Sequence, residues 1–370
     1  MTFTTETRVS DVRTELYRDR LHSMLSEAAA GLLVSLGSQL DLFRSISQLG
    51  KASAEDLAIH TGLHEQGLTS WLDCMHSTGI LEREADCGRY FLPDYSLPIL
   101  TGPDTLLFSQ LAMLAGVEQP VHDAFRHGSG VHPTLYPRQE LISDGLESDT
   151  ESKAALELLN LAPGMIRRLE CGAMVLHAGC GSGQVLLALA RRFPRSRFIG
   201  LDINETAIRL ARRNQLRLNS CNLHFERRNV LQGLERQGYD LVIATGMVSA
   251  CPEPAHMLMH FHDALATDGM LLLRELRPPL ETGHTQDRLA GFLHAFECMV
   301  SGPQAIAMGQ TAATHIGDRS TMERLLLRSG FASSEWQELS SDPLGSWCLL
   351  DRVEMLASSP LSFPESLLLT

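Results

Sequence analysis

The stretch Val175-Leu176-His177-Ala178-Gly179-Cys180-Gly181-Ser182-Gly183 constrains this chain more than any other. Its apolar start predicts a short strand, which feeds a turn with glycine at every second position, and the helix 184–192 leaves from that turn. Glycine is required because a Cβ would hold the backbone off a ligand, and because glycine accepts positive φ. The helix N-terminus adds N–H groups that have no partner within the helix. A second apolar run, Phe198-Ile199-Gly200-Leu201, ends on Asp202. A carboxylate about twenty residues past such a loop can accept both hydroxyls of a ribose. Together these features predict an adenosine site.

A dinucleotide fingerprint would place its third glycine at position 184, which is Gln184. The glycines at 179, 181 and 183 therefore argue against a bound pyrophosphate. Downstream, periodicity predicts strand 175–179, helix 184–192, strand 196–202, helix 205–218, strand 222–228, strand 239–245, helix 253–266 and strand 269–276. Helix 320–329 and strands near 333–340 and 345–353 follow. This alternation predicts an α/β fold with a doubly wound, mostly parallel sheet and a ligand at the carboxyl ends of its strands. Only Asp342-Pro343-Leu344 separates the last two strands, so they should close the sheet as an antiparallel hairpin.

At 370 residues the chain exceeds one compact core, and the pattern divides it at 1–105, 106–165 and 166–370. In the first part Ser53-Ala54-Glu55-Asp56 opens a helix and Thr61-Gly62 breaks it. A second helix from His64 to Ser77 carries Leu68, Trp71, Leu72 and Met75 on one face. The runs 80–83 and 89–92 flank a turn at Asp86-Cys87-Gly88, which completes a mainly helical winged-helix pattern. The outward residues of the second helix, His64, Glu65, Gln66, Thr69, Ser70 and Asp73, include no Lys or Arg to meet phosphate. With a net charge of -13, this argues against nucleic acid or an anionic membrane as a partner. The apolar run 28–34 suits a helix buried against a second subunit or its own domain. Residues 1–16 lack a signal-peptide core and no apolar run is long enough to span a bilayer, so a cytoplasmic location is expected. The eight cysteines are scattered, which predicts reduced, mostly buried thiols and no metal site. His256 and His260 share a helical spacing but lack a third ligand, and read as helix surface. Between the halves lie a glycine- and proline-broken loop, Gly128 to Tyr136, and a polar stretch, 143–152.

The glycine spacing, Asp202 and the closing hairpin resemble class I S-adenosylmethionine-dependent methyltransferases. The N-terminal part resembles the winged-helix dimerisation domain of many bacterial and natural-product members. The resemblance implies a seven-stranded class I methyltransferase sheet, S-adenosylmethionine as methyl donor or substrate, a small-molecule partner and a homodimer. Carried over by position, Gly179, Gly181 and Gly183 line the methionine part, Asp202 holds the ribose and Ile203 packs on the adenine. Asn229 would meet the adenine amino group through its carbonyl oxygen, with Val230 in the same subsite, and Thr245-Gly246 would form the far wall. The 128–136 loop resembles a segment that folds over the ligand, which makes Tyr136 a candidate lid whose ring could face the sulfonium. Phe292 to Gly309, with His294, Cys298 and Met308, resembles a helical insertion over the substrate. Arg274 and Glu275 are expected at the pocket rim.

Two positions depart from the family pattern. His177 stands where the family places Asp or Glu, and Ser249-Ala250 stand where an adjacent His-Asp pair supplies the base. Tyr136, Ser249 and His294 are then the candidate catalytic residues. Three readings stay open: a small-molecule methyltransferase, a non-methylating cyclase and a non-catalytic ligand-binding protein. In the second, the ligand's own amine attacks its γ-carbon to give a four-membered ring and methylthioadenosine. His177 in place of a carboxylate would favour the neutral amine this needs.

Overall fold

The computed structural model describes residues 4–102, 104–136, 153, 155–157, 159–160, 162–234, 238–277, 289–309, 319–332, 335–339 and 341–353. The polar stretch 143–152 lies outside the described residues. Two compact units emerge: Met1–Glu151 with His294–Ala307, and Ser152–Leu293 with Met308–Thr370.

The first unit is built on α1 (Thr4–Gln39), α2 (Leu42–Leu49), α3 (Ala54–Thr61) and α4 (Glu65–Ser77), with a hairpin of β1 (Glu82–Arg83) and β2 (Tyr90–Phe91). Helix α3 starts at a capping box: Asp56 N donates to Ser53 Oγ at 3.1 Å while Ser53 N donates to Asp56 Oδ2 at 2.8 Å. It stops at Gly62, whose φ is 74°. Leu68, Trp71, Leu72 and Met75 of α4 are buried as their spacing requires, and Trp71 Nε1 donates to Leu33 O of α1 at 2.9 Å. The expected outward residues of α4 are all exposed. Four further helices follow, α5 (Leu97–Leu100), α6 (Asp104–Leu107), α7 (Ser109–Gly116) and α8 (Glu118–His127).

Helix α1 has two apolar faces. Ala30 and Val34 pack into its own unit, whereas Tyr17, Leu21, Met24, Leu25, Leu32 and Leu36 follow helical spacing on the opposite side and are exposed. Every residue from 12 to 29 is exposed.

In the second unit α9 (Pro163–Cys171) leads into seven strands in the order β5-β4-β3-β6-β7-β9-β8. Strands β3 (Met174–Ala178), β4 (Arg197–Asp202), β5 (Leu223–Arg227), β6 (Tyr239–Thr245) and β7 (Leu265–Leu276) are parallel. Strand β9 (Gly345–Asp351) runs antiparallel to β7 and to the two-residue β8 (Gln337–Glu338). Both layers of a doubly wound fold are present. Leu186 and Leu189 of α10 (Gln184–Arg192) with Ile208 and Ala211 of α11 (Glu205–Leu218) bury one face. Met257 and Phe261 of α12 (Pro254–Ala264) with Met322 and Leu326 of a helix at Arg319–Arg328 bury the other. Strand β7 begins at Leu265, earlier than its periodicity suggests, because Leu265 pairs with Tyr239 before a register shift at Leu241. Strand order reverses between β3 and β6, which opens a crevice at their carboxyl ends.

Candidate active site

The glycine loop sits on that reversal. Gly181 (φ 52°) donates its N–H to Asp202 Oδ2 at 2.9 Å, and Cys180 N donates to Leu201 O at 3.0 Å, so the loop is tied to the end of β4. A Cβ on Gly181 would meet nothing within 4 Å, leaving open space beside the backbone. Gly183 (φ 80°) is glycine for a different reason: a Cβ there would lie 2.2 Å from the ring of Phe225 on β5. The loop therefore holds one glycine with open space beside it and one that is required by packing.

Asp202 also accepts from Asn204 N at 2.8 Å, yet each carboxylate oxygen keeps lone-pair capacity for a hydroxyl. Beside it Ile203 is 54% exposed, an apolar side chain open to solvent next to the carboxylate. Arg228 N donates to Asp202 O at 2.9 Å, which brings Asn229 and the buried Val230 next to β4. Asn229 Oδ1 accepts from Leu231 N at 3.0 Å and caps the turn Val230–Gln232, so the carbonyl expected to meet an adenine is already shared with the cap.

His177 is 1% exposed. Its Nε2 lies 3.3 Å from Thr245 Oγ1 across the β3–β6 pairing, and Nδ1 is buried without a partner. Burial pushes its pKa down to about 3, so the ring is neutral at physiological pH. Thr245 ends β6 and Gly246 (φ 62°) turns the chain into a loop whose Met247 packs on Gly179: a Cβ there would lie 2.6 Å from Met247 Sδ.

Arg274 and Glu275 do not face a rim. Arg274 turns to Asp342, with Nε–Oδ2 at 2.8 Å and Nη2–Oδ1 at 3.1 Å. Glu275 is 4% exposed and accepts from Val248 N at 2.8 Å and Ser249 N at 3.4 Å. The sequence signal for this residue is a carboxylate inside an apolar strand, Leu271-Leu272-Leu273-Arg274-Glu275.

Tyr136 and His294 belong to the first unit. The Tyr136 ring is buried and its hydroxyl donates to Met299 O at 2.9 Å, while His294 is exposed on the helix Ala290–Phe296. The thiols depart from expectation. Cys180, Cys251 and Cys348 are buried, but Cys87, Cys171, Cys221 and Cys298 are exposed, because scattered cysteines on helix ends and turns have no core to enter. His256 and His260 stack at 4.3 Å, with His260 Nδ1 2.8 Å from Val230 O, and no group of three potential metal ligands gathers among the described residues.

Residues 169–325 match the family model of a methyltransferase domain, and residues 28–102 match that of an Rv2258c-like winged HTH domain. The chain carries a methyltransferase domain. The chain is 28% identical over 183 residues to the trans-aconitate 2-methyltransferase of Methylobacterium radiotolerans, covering 49% of this chain and 60% of the relative. The chain spans less than two thirds of the length of that relative and of the ribosomal protein L11 methyltransferase of Caldicellulosiruptor bescii, 37% of which it covers. Among solved structures it shares its fold with a provisionally assigned O-methyltransferase from Nostoc punctiforme (TM-score 0.65, 17% identity, 91% of this chain and 98% of that one). Human N-acetylserotonin methyltransferase in complex with SAM is also similar (TM-score 0.57, 16% identity, 91% and 98%).

The methyltransferase domain's residues fit S-adenosylmethionine. The open side of Gly181 leaves room against the backbone, His177 Nδ1 needs a polar partner, and Asp202 with Ile203 offers a carboxylate beside an exposed apolar side chain. No helix among the described residues is long and apolar enough to cross a membrane.

Proposed function

We propose that the protein is an S-adenosylmethionine-dependent methyltransferase acting on a small molecule. The observation that carries this reading is the Gly181–Asp202 tie at the β3/β6 reversal, which sets loop backbone, carboxylate and Ile203 along adjacent strand ends. Bound there, the sulfonium would supply an electrophilic methyl group. Gly179 and Gly181 would take the methionine half, Asp202 the ribose, and Ile203, Asn229 and Val230 the purine, with Thr245 and Gly246 as the far wall. Orientation of the acceptor supplies much of the catalysis, since positioning alone removes roughly 7–11 kcal/mol in well-aligned reactions. For Tyr136 and His294 the support is the resemblance alone.

One observation favours a second reading, in which the ligand is consumed without methyl transfer. A neutral, buried His177 in place of a carboxylate withholds the anion that would keep a nearby amine protonated. Incubation with S-adenosylmethionine alone separates the readings. Methylthioadenosine above the uncatalysed rate supports the cyclase, whereas S-adenosylhomocysteine formed only after a small-molecule acceptor is added supports the methyltransferase.

The protein is further proposed to be a homodimer through α1. The apolar face of Tyr17, Leu21, Met24, Leu25, Leu32 and Leu36 lies opposite the face that packs its own unit, which suits a second copy. The exposed face of α4 carries no Lys or Arg, so it lacks the charge that duplex binding needs. Leu25→Glu should turn a dimer into a monomer in light scattering; a wild-type monomer at micromolar concentration would contradict the assignment.

A further inference from the structure

We propose that Glu275 is the proton acceptor of this site, reached through the Ser249 hydroxyl. The inference rests on the methyltransferase reading and answers the question that Ser249-Ala250 raise: where the acceptor's proton goes.

The geometry begins with the loop after β6. Met247 packs on Gly179, so the loop lies directly against the glycine turn. Its next two residues fold back over the end of β7, where Glu275 Oε1 accepts from Val248 N at 2.8 Å and Oε2 lies 3.4 Å from Ser249 N. The Ser249 side chain is hydrogen-bonded to the same carboxylate. Ser249 is half-buried and Glu275 buried, so of the bonded pair the serine is the member that solvent or a ligand can reach. A serine hydroxyl is no base on its own, but it accepts one hydrogen bond while donating another.

The carboxylate's surroundings bear on its protonation. Burial raises its pKa above the ordinary 4.5, and the hydrogen bonds from Ser249 and Val248 oppose that rise. Arg274, the adjacent cation, lowers it, but its guanidinium is held by Asp342. From β9 the facing groups are Ser346, which pairs with Glu275, and Cys348, whose thiol burial keeps protonated. Arg319 donates to Ser346 Oγ at 3.0 Å, and Glu323 lies on the same helix.

The proton balance is simple. The acceptor's oxygen or nitrogen forms the bond to the methyl carbon, and the broken carbon–sulfur bond leaves its electron pair on a neutral sulfur. The acceptor's proton passes to Ser249 Oγ as the serine's own proton passes to Glu275, which returns it to water after product leaves.

The test needs no knowledge of the acceptor. Infrared difference spectra of the full chain are recorded against pH, for wild type, Glu275→Gln and Ser249→Ala. The carbonyl band of a buried protonated carboxylic acid should fade in wild type with a midpoint above 4.5 and be absent from Glu275→Gln. In Ser249→Ala, loss of a hydrogen bond to the ionised form should move the midpoint up. Two results would overturn the proposal: no band lost in Glu275→Gln, or a midpoint that Ser249→Ala leaves unmoved. S-adenosylhomocysteine titrated into the same three proteins separates the underlying reading. Failure to bind to wild type removes the methyltransferase, whereas binding together with an uncoupled Glu275 removes the relay alone.

Discussion

Replacing either of two loop glycines by alanine should do opposite things. Gly183→Ala forces a Cβ to within 2.2 Å of the Phe225 ring at a φ of 80°. The left-handed backbone costs about 1–2 kcal/mol and the overpacked core about 1–3 kcal/mol, together roughly 2–5 kcal/mol. In a unit of this size each kcal/mol lowers Tm by roughly 2–4 °C. Gly181→Ala suffers only the backbone term, because nothing lies within 4 Å of its Cβ. Its methyl group instead occupies the space assigned to the ligand. Thermal melts and S-adenosylhomocysteine calorimetry on both variants read the contrast directly. Gly183→Ala should lose more stability but bind normally where folded, and Gly181→Ala should lose only the backbone term of about 1–2 kcal/mol but bind weakly. Equal losses of stability, or normal binding by Gly181→Ala, would refute the division of labour between the two glycines.

Other outcomes follow from single side chains. His177 has a depressed folded-state pKa, about 3 against 6.5, so the unfolded chain takes up a proton first as pH falls. Its contribution is complete above 6.5 and is lost down to about 3, at up to roughly 1.4 kcal/mol per pH unit. His177→Gln should flatten that acid limb in urea denaturation, and an unchanged slope would show that the ring is not held neutral. Tyr136→Phe removes the hydroxyl that donates to Met299 O and should cost about 0.5–1.5 kcal/mol. With the phenol's pKa pushed up to about 12, any effect should be flat from pH 6 to 9, and a pH-dependent loss of stability there would contradict it.

Local signals were enough for much of the fold. Helix α11 is legible because Asn204 caps Thr206 N and Ala207 N and Asn219 closes it at φ 51°. Strand β6 is legible from its apolar run, and the glycine turn from its spacing. What stays hidden depends on distant contacts. The need for glycine at 183 comes from Phe225, two strands away in sequence, and only the parallel register of β3, β4 and β5 brings the ring over it. Glu275 looks like a rim residue by position, yet the return of the 246–249 loop turns it into a buried acceptor of backbone N–H groups. Asn229 reads as an adenine contact, and the structure shows that its oxygen also caps Leu231 N. For Gly183 and Glu275 the neighbour that decides the role lies far along the chain, whereas the Asn229 cap is made only two residues away.

Titration calorimetry of the full chain with S-adenosylhomocysteine tests most directly whether the β3–β4 strand ends bind an S-adenosyl ligand. Wild type should show saturable one-to-one binding. Asp202→Ala should bind roughly 10–150-fold more weakly, the worth of one charge-assisted hydrogen bond of about 1.5–3 kcal/mol, with Asp202→Asn intermediate. No binding by a folded wild-type protein, or binding that Asp202→Ala leaves untouched, would contradict it.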